Sequence, residues 1–364
     1  MHIPGPSVNW LYVFIPVTLG LEHLHAAPPV IFFSAALAII PAAALIVQAT
    51  EQLASRTGDA VGGLLNATFG NAPELIIALT AVRAGYLDMV RATLIGAILG
   101  NLLFAQGVAY LVGGLKYHTQ SFNPAASRTY STMMLLATTS LIIPSAFSRL
   151  FTTGEVVRQE QQLNIGIAFL LLFAYGLYLL FSLKTHPEAF KSVAAGAGER
   201  PEEEHARWGL GRAAGSLVAA SLLAAWMSEV LVGAAEATGQ ALGMSQTFIG
   251  LVFLAIIGGA AESGSAVAMA RKNKMDLTIG ITLGSSIQIA LFVAPVLVLA
   301  SFFIAPQPLN LSFGRTEIGA LFLGMLLGTI VSGDGQSNWY KGVQLVTVYA
   351  IIALMFYLMP VLSP

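Results

Sequence analysis

Two glutamates stand where a carboxylate is hard to keep. Glu74 closes the stretch Gly70–Asn71–Ala72–Pro73–Glu74, mid-way along an apolar run from 61 to 82. Glu262 closes Gly258–Gly259–Ala260–Ala261–Glu262, mid-way along another. A charged side chain at the centre of hydrocarbon costs roughly 2.5–3.5 kcal/mol on insertion scales. That cost falls where the group faces a protein interior and takes up a proton or a cation. Asn71 and Glu74 are three residues apart, and Thr68 lies three further back, so helical spacing puts all three on one face. Pro73 has no N–H, so an unbroken helix would leave the carbonyl of Phe69 without its partner. At membrane depth such a carbonyl is tolerable only where it faces a cavity or a ligand. Carboxylate, amide oxygen, hydroxyl and carbonyl are hard oxygen donors, the set that suits Ca²⁺. No His or Cys is near, which disfavours zinc and copper. The bland alternative is a Gly/Pro-rich packing helix whose polar groups bond to their neighbours.

Further polar residues punctuate the second half. Ser263 and Ser265 flank Glu262, and Gly284–Ser285–Ser286–Ile287–Gln288 puts Ser285 and Gln288 on one face. Gln288 serves either the site or a helix–helix hydrogen bond. Glu51 and Glu236 lie near the ends of their runs, where they either snorkel to the interface or pass ions and protons. Glu229, seven residues before Glu236, is a candidate for the cytoplasmic entrance. Arg83, Arg271, Asp88 and Asp276 fall in short connections, where turn ion pairs explain them.

The rest of the chain sets these residues in a membrane. Only 10% of the 364 residues are charged and 56% are apolar, against about a quarter charged in soluble domains. Mean hydropathy is +0.77. Eleven apolar spans can be drawn, at 8–22, 29–50, 61–82, 90–114, 130–148, 162–184, 213–238, 246–270, 276–303, 315–332 and 342–361. All but the first, which Pro16 interrupts, are long enough to cross about 30 Å of hydrocarbon as helices. The runs are continuous rather than alternating, which excludes strands. With the N-terminus on one side, twelve of the 17 Lys and Arg fall on that side and five on the other. The positive-inside rule then makes the N-terminus cytoplasmic and the C-terminus extracytoplasmic. Net charge is −1 and there are no cysteines. Nucleic acid, disulfides and thiol chemistry are therefore excluded. No removable signal or targeting extension is expected, which favours the plasma (inner) membrane of a prokaryote. The lipid bilayer is one partner, a divalent cation the other, and a homo-oligomer is compatible with the sequence.

Sliding the chain against itself by 188 residues aligns 70–104 with 258–292 without a gap. Nine of 35 pairs are identical, among them Glu74/Glu262, Arg83/Arg271 and Asp88/Asp276. Ala49–Thr50–Glu51 likewise matches Ala234–Ala235–Glu236 at an offset of 185. Five spans separate the copies, so they cross in opposite senses. The expected fold is thus an all-α membrane protein with one N-terminal helix (1–27) and two inverted five-helix repeats, 28–184 and 213–364. A cytoplasmic acidic linker, 185–212, joins them. Inverted repeats of this kind place a site at the bilayer midplane between the halves. Empty and doubly ionised, the two glutamates repel; with one divalent cation or two protons they are neutral. If only neutral states cross, exchange of cation for protons is obligatory.

These motifs resemble the calcium/proton exchanger (CAX) family of the cation/calcium exchanger superfamily. The likeness rests on Gly70–Asn71–Ala72–Pro73–Glu74, on Gly258–Gly259–Ala260–Ala261–Glu262–Ser263 and on Gly284–Ser285–Ser286–Ile287–Gln288. It implies a secondary antiporter that exports cytosolic Ca²⁺, or other divalent cations, against protons, with no cofactor and no enzymatic activity. It further implies Glu74 and Glu262 as metal and proton carriers, Asn71 and Gln288 lining the site, and Glu51 and Glu236 along the ion path. Relatives often carry Asn at the place of Gly259, so one half-site here has fewer donors. The rival readings are a sodium/calcium exchanger, which would need more acidic or hydroxyl ligands, and a passive channel, which would show a pore loop or charged rings. An intramembrane hydrolase lacks a nucleophile motif.

Overall fold

The computed structural model describes residues 8–57, 59–150, 156–187 and 208–359. In lipid only a helix satisfies every backbone group within its own segment, and the apolar runs accordingly fold as helices. Eight are long and apolar enough to cross a membrane. They are α2 (Pro28–Thr57), α5 (Leu87–Tyr117), α6 (Pro124–Leu150), α7 (Val156–Leu180), α8 (Leu210–Leu242), α11 (Met275–Ile304), α12 (Arg315–Ser332) and α13 (Trp339–Leu358). A ninth crossing is a bent pair, α9 (Gln246–Gly258) and α10 (Ala260–Arg271), with 56° between them. The two other expected spans take different forms. Residues 8–22 give a 3-10 turn and the ten-residue α1 (Phe14–His23). Residues 61–82 give two short helices, α3 (Asp59–Phe69) and α4 (Ala72–Arg83).

The break between α3 and α4 corrects the expectation for Pro73. The helix stops at Gly70 and restarts at Ala72, so Pro73 occupies the second position of α4. There its missing N–H belongs to the first turn, which has no intrahelical acceptor. Glu74 is the third residue of α4, and Glu262 is the third residue of α10 after the break at Gly259. Both carboxylates thus sit in a helix first turn, where exposed N–H groups favour negative charge.

Helices α2 and α8 lie against each other along much of their length. Part of their seam joins Ala42, Ile46 and Ala49 to Leu217, Ala220 and Ala224; small residues there let the backbones approach. On the outside, α7 exposes Phe169, Leu170, Phe173 and Leu177, an apolar surface that lipid would cover. At one end, β1 (Thr119–Ser121) pairs antiparallel with β2 (Gln336–Asn338). Gln120 in β1 donates to the carbonyl of Ala270 at 2.9 Å and to Asn273 Oδ1 at 2.8 Å. Lys341 Nζ lies 2.6 Å from Asp334 Oδ1 beside β2. At the other end the stretch before α12 is pinned by Ser145, whose Oγ accepts from the Phe313 N–H at 2.7 Å. Asn164 Oδ1 accepts from Leu311 N–H at 3.0 Å.

Helix α5 crosses α9 at glycine. A Cβ on Gly96 would overlap the backbone of Leu251, which cannot swing aside. Gly96→Ala should therefore cost at least the ~1–3 kcal/mol typical of overpacking. Gly215→Ala, with nothing within 4 Å, should be neutral. Thermal unfolding of the two variants in detergent checks the contrast; equal melting temperatures would remove the claim.

Candidate functional site

The two chain breaks bring their carboxylates into one interior. Glu74 and Glu262 are 4% and 8% exposed, and Asn71 is 1% exposed. A Cβ placed on Gly258 would lie 3.0 Å from Glu74 Cγ, so α4 meets the α9–α10 break side by side. Asn71 is the residue before α4, the usual capping position, yet its side chain makes no cap bond. Its amide Nδ2 donates instead to Gln288 Oε1 on α11. The hydroxyl of Ser285 bonds toward the Glu262 carboxylate, and Glu262 also feels the charge of Glu74. Four buried oxygens here have no hydrogen-bond partner among the described residues: Asn71 Oδ1, both oxygens of Glu74, and Glu262 Oε2. Buried acceptors are normally satisfied. Four unsatisfied ones on neighbouring residues, two of them on one carboxylate, form a cage of oxygens of the kind that could hold a hard cation or protons. No group of three or more acidic, His or Cys side chains converges among the described residues, so two carboxylates and neutral oxygens are the donor set.

Two spaces adjoin this cage. A cavity of about 420 Å³ reaches it from one end of the bundle, with Glu262, Ser285 and Gln288 at its floor and Glu51 and Asp276 further out. A second space of about 10 Å³ lies on the other side, walled by Glu74, Asn101, Gly259 and Ser263. It has room for about one water-sized sphere. Glu262 thus communicates with the large cavity, whereas Glu74 faces the small one. Beside this region α5 and α11 each widen into a π turn, at Gly100–Ala105 and Ile289–Val293. Such widening often accompanies function.

A family model for "Sodium/calcium exchanger protein" matches residues 27–184 and 212–358. The chain belongs to the sodium/calcium exchanger family. Within it, the chain is 41% identical over 362 residues to a Ca(2+)/H(+) antiporter of Aphanothece halophytica, covering 96% of each chain. It is 39% identical over 345 residues to the Ca(2+)/H(+) antiporter ChaA of Bacillus subtilis, covering 95% of this chain and 97% of that one. The solved structure of native YfkE superposes with a TM-score of 0.83 at 36% identity, over 97% of this chain and 100% of that one.

In this family member the sequence-derived site residues separate into groups. Glu74, Glu262, Asn71, Ser285 and Gln288 converge, and Gln288 lines the large cavity and accepts a hydrogen bond from Asn71 across helices. Glu51 lies along the large cavity, but Glu236 does not; it accepts from Tyr86 Oη at 3.2 Å. Thr68 is in the lining of neither space, and its hydroxyl donates to Leu64 O at 2.8 Å on its own helix. Glu229 is not beside the large cavity either; its Oε1 lies 3.2 Å from Arg83 Nη1. Arg83 is therefore an inter-helix partner rather than a turn residue, while Asp88 does pair locally, with Arg91. Asp276 accepts the Asn123 N–H at 2.6 Å and lines the cavity. The linker's residues 188–207 lie outside the described residues. Asn101 was missed by sequence reasoning, because the 188 offset pairs it with Ile289. Its signal was a carboxamide in an apolar span, one of two there with Gln106.

The side-by-side contact makes Gly258 sensitive. A methyl there presses on Glu74, and a displacement worth about 1.4 kcal/mol is tenfold in affinity. Gly258→Ala should weaken cation binding by roughly 3–10-fold while the protein remains folded. Isothermal titration with Ca²⁺ beside a thermal melt checks it, and unchanged affinity would show that the carboxylate has slack.

Proposed function

We propose that the protein exports cytosolic Ca²⁺ in exchange for protons, by alternating access to the cage formed by Glu74 and Glu262. The observation that carries the reading is the cluster of four unsatisfied buried oxygens on Asn71, Glu74 and Glu262. Relatives at 39–41% identity whose names state Ca²⁺/H⁺ antiport support the choice of ions. Two ionised carboxylates in a low-dielectric interior repel and lack solvation. One divalent cation or two protons remove both problems, so each neutral state can reorient and the charged one cannot. Asn71 and Ser285 add neutral oxygens, and Gln288 holds Asn71 in place. Glu51 guides ions along the large cavity, and Glu236 plays the matching part on the opposite face.

The architecture we infer is an N-terminal helical segment, 1–27, and two inverted repeats, 28–184 and 213–364, around a linker at 185–212. Eleven segments follow if the short α1 and the broken α3–α4 pair are added to the nine crossings. Ser286 Oγ lies 3.5 Å from the carbonyl of Ile98. These residues are 188 apart, and equivalent residues that touch belong on a two-fold axis, which supports the repeat. Arg56, Arg271, Lys272 and Lys274 are close in sequence to Glu51 and Asp276, which line the large cavity. The positive-inside rule then opens this cavity to the cytoplasm, with the N-terminus inside and the C-terminus outside.

Purified protein in proteoliposomes tests the function. A pH gradient should drive Ca²⁺ uptake, and Glu74→Gln or Glu262→Gln should abolish it to below about a hundredth, since each removes a charge that makes the loaded state neutral. Glu22→Gln, at an exposed position, should transport as before. Uptake that follows only a Na⁺ gradient would place the protein with sodium-coupled exchangers. Flux that needs no counter-gradient and survives both substitutions would end the exchanger reading.

A further inference from the structure

Alternating access requires each face to close in turn, and this structure displays one closed face and one open one. On the closed face, two bonds join the end of α4 and the turn that follows it to α8. Arg83 Nη1 reaches Glu229 Oε1 at 3.2 Å, and Tyr86 Oη donates to Glu236 Oε2 at 3.2 Å. On the open face the corresponding elements, α2 and α10, touch along part of their length, and the large cavity lies beside Glu51 and the start of α11. Glu51 of α2 lines one wall, and Asp276 and Leu277, just past the turn after α10, line another.

The internal repeat says which residues would meet if this cavity shut. The offset of 188 that pairs Glu74 with Glu262 carries Tyr86 onto Lys274. The offset of 185 that matches Ala234–Ala235–Glu236 to Ala49–Thr50–Glu51 carries Glu236 onto Glu51. The Tyr86–Glu236 bond of one face therefore becomes Lys274–Glu51 on the other. We propose that Lys274 closes the large cavity by pairing with Glu51 in the conformation of opposite access. Lys274 is exposed, two residues before Asp276, as such a role requires. The Arg83–Glu229 pair has no such image, because the same offsets carry it onto Arg271 and Ala44.

The two closures are thus chemically different. A phenol leaves the charge of Glu236 in place, so a cation can linger beside it when that face is shut. An ammonium cancels the charge of Glu51, so a cation there and Lys274 compete for one carboxylate. Closing the cavity then discharges any cation held at Glu51, and a cation held there opposes closing. Lys274 is a positioning residue in this scheme and does not touch the transported ion.

The inference rests on the alternating-access reading, but its test is a distance and not a flux, so the two can fail separately. The chain has no cysteine, which makes introduced pairs unambiguous. Two long side chains that meet at their tips leave their Cα atoms beyond the ~7 Å that a disulfide spans, so a short bismaleimide is the reagent. In the full-length protein under Ca²⁺ and a pH gradient, Glu51→Cys with Lys274→Cys should cross-link. With Tyr86→Cys and Glu236→Cys in the same chain linked first, that product should fall at least tenfold. Failure to link under any condition, or equal linking in both cases, overturns the proposal. As a second readout, Lys274→Glu should hold the cavity open and raise maleimide labelling of a Ser265→Cys reporter several-fold. An unchanged labelling rate would overturn it too.

Discussion

The structure depends on keeping two carboxylates buried without satisfying all of their oxygens from its own side chains. Ion pairing or hydrogen bonding would stabilise Glu74 and Glu262 but would also occupy the oxygens a cation needs. The protein takes a middle course. Each glutamate is set in the first turn of a helix restarted inside the bundle, where the helix end offers partial positive charge. Among the described residues no basic side chain is paired with either one. An uncompensated buried charge destabilises a fold by several kcal/mol, and in the mechanism we propose the cargo relieves it. Transport and stability are then coupled: the states that can reorient are the states in which the core is electrically content.

That constraint accounts for the glycines and the proline around the site. Gly70, Gly258 and Gly259 occur where backbones must pass close or stop, and Pro73 where a new helix begins. The bend at Gly259 leaves Glu262 facing the large cavity, and the break at Gly70–Asn71 leaves Glu74 facing the small one. The two half-sites are therefore alike in their carboxylates and unlike in what surrounds them. Asn71 on the first side is matched by Gly259 on the second. Gln288 is matched by Gly100. Beside the two glycines Asn101 lines the remaining space from a different register.

Much of this was legible in the sequence, because hydrocarbon punishes polar residues and so makes each one informative. The pair of glutamates, their companions Asn71, Ser285 and Gln288, and the repeat offset all followed from that single fact. The helix breaks were legible only in part. Pro73 was seen, but reading it as a kink in one long helix missed that Gly70 and Asn71 end the helix before it. Thr68 shared the right helical face on paper, but the chain break removes the common helix on which that spacing argument depends. Glu229 could not be placed from its spacing to Glu236, since seven residues along one helix change depth by about 10 Å at 1.5 Å each. Asn101 escaped because the repeat was used as a filter, and a residue that breaks the symmetry has no mate to announce it.

The orientation of one amide shows how little separates a cation cage from an inert polar core. Asn71 occupies a capping position but does not cap, and its Nδ2 is committed to Gln288 Oε1. That commitment leaves the carboxamide oxygen without a partner, available to the cation we propose. Were the amide reversed, its N–H groups would point toward the site, satisfy a Glu74 oxygen and repel any cation. An acceptor at Gln288 is therefore as necessary to the cage as the oxygen it never contributes. Leu at this position would leave Asn71 free to turn its donors onto Glu74, and Glu could bond to Asn71 but would add a third charge. A carboxamide on α11 is the neutral group that holds the oxygen forward and still lets two protons or one divalent cation balance the site.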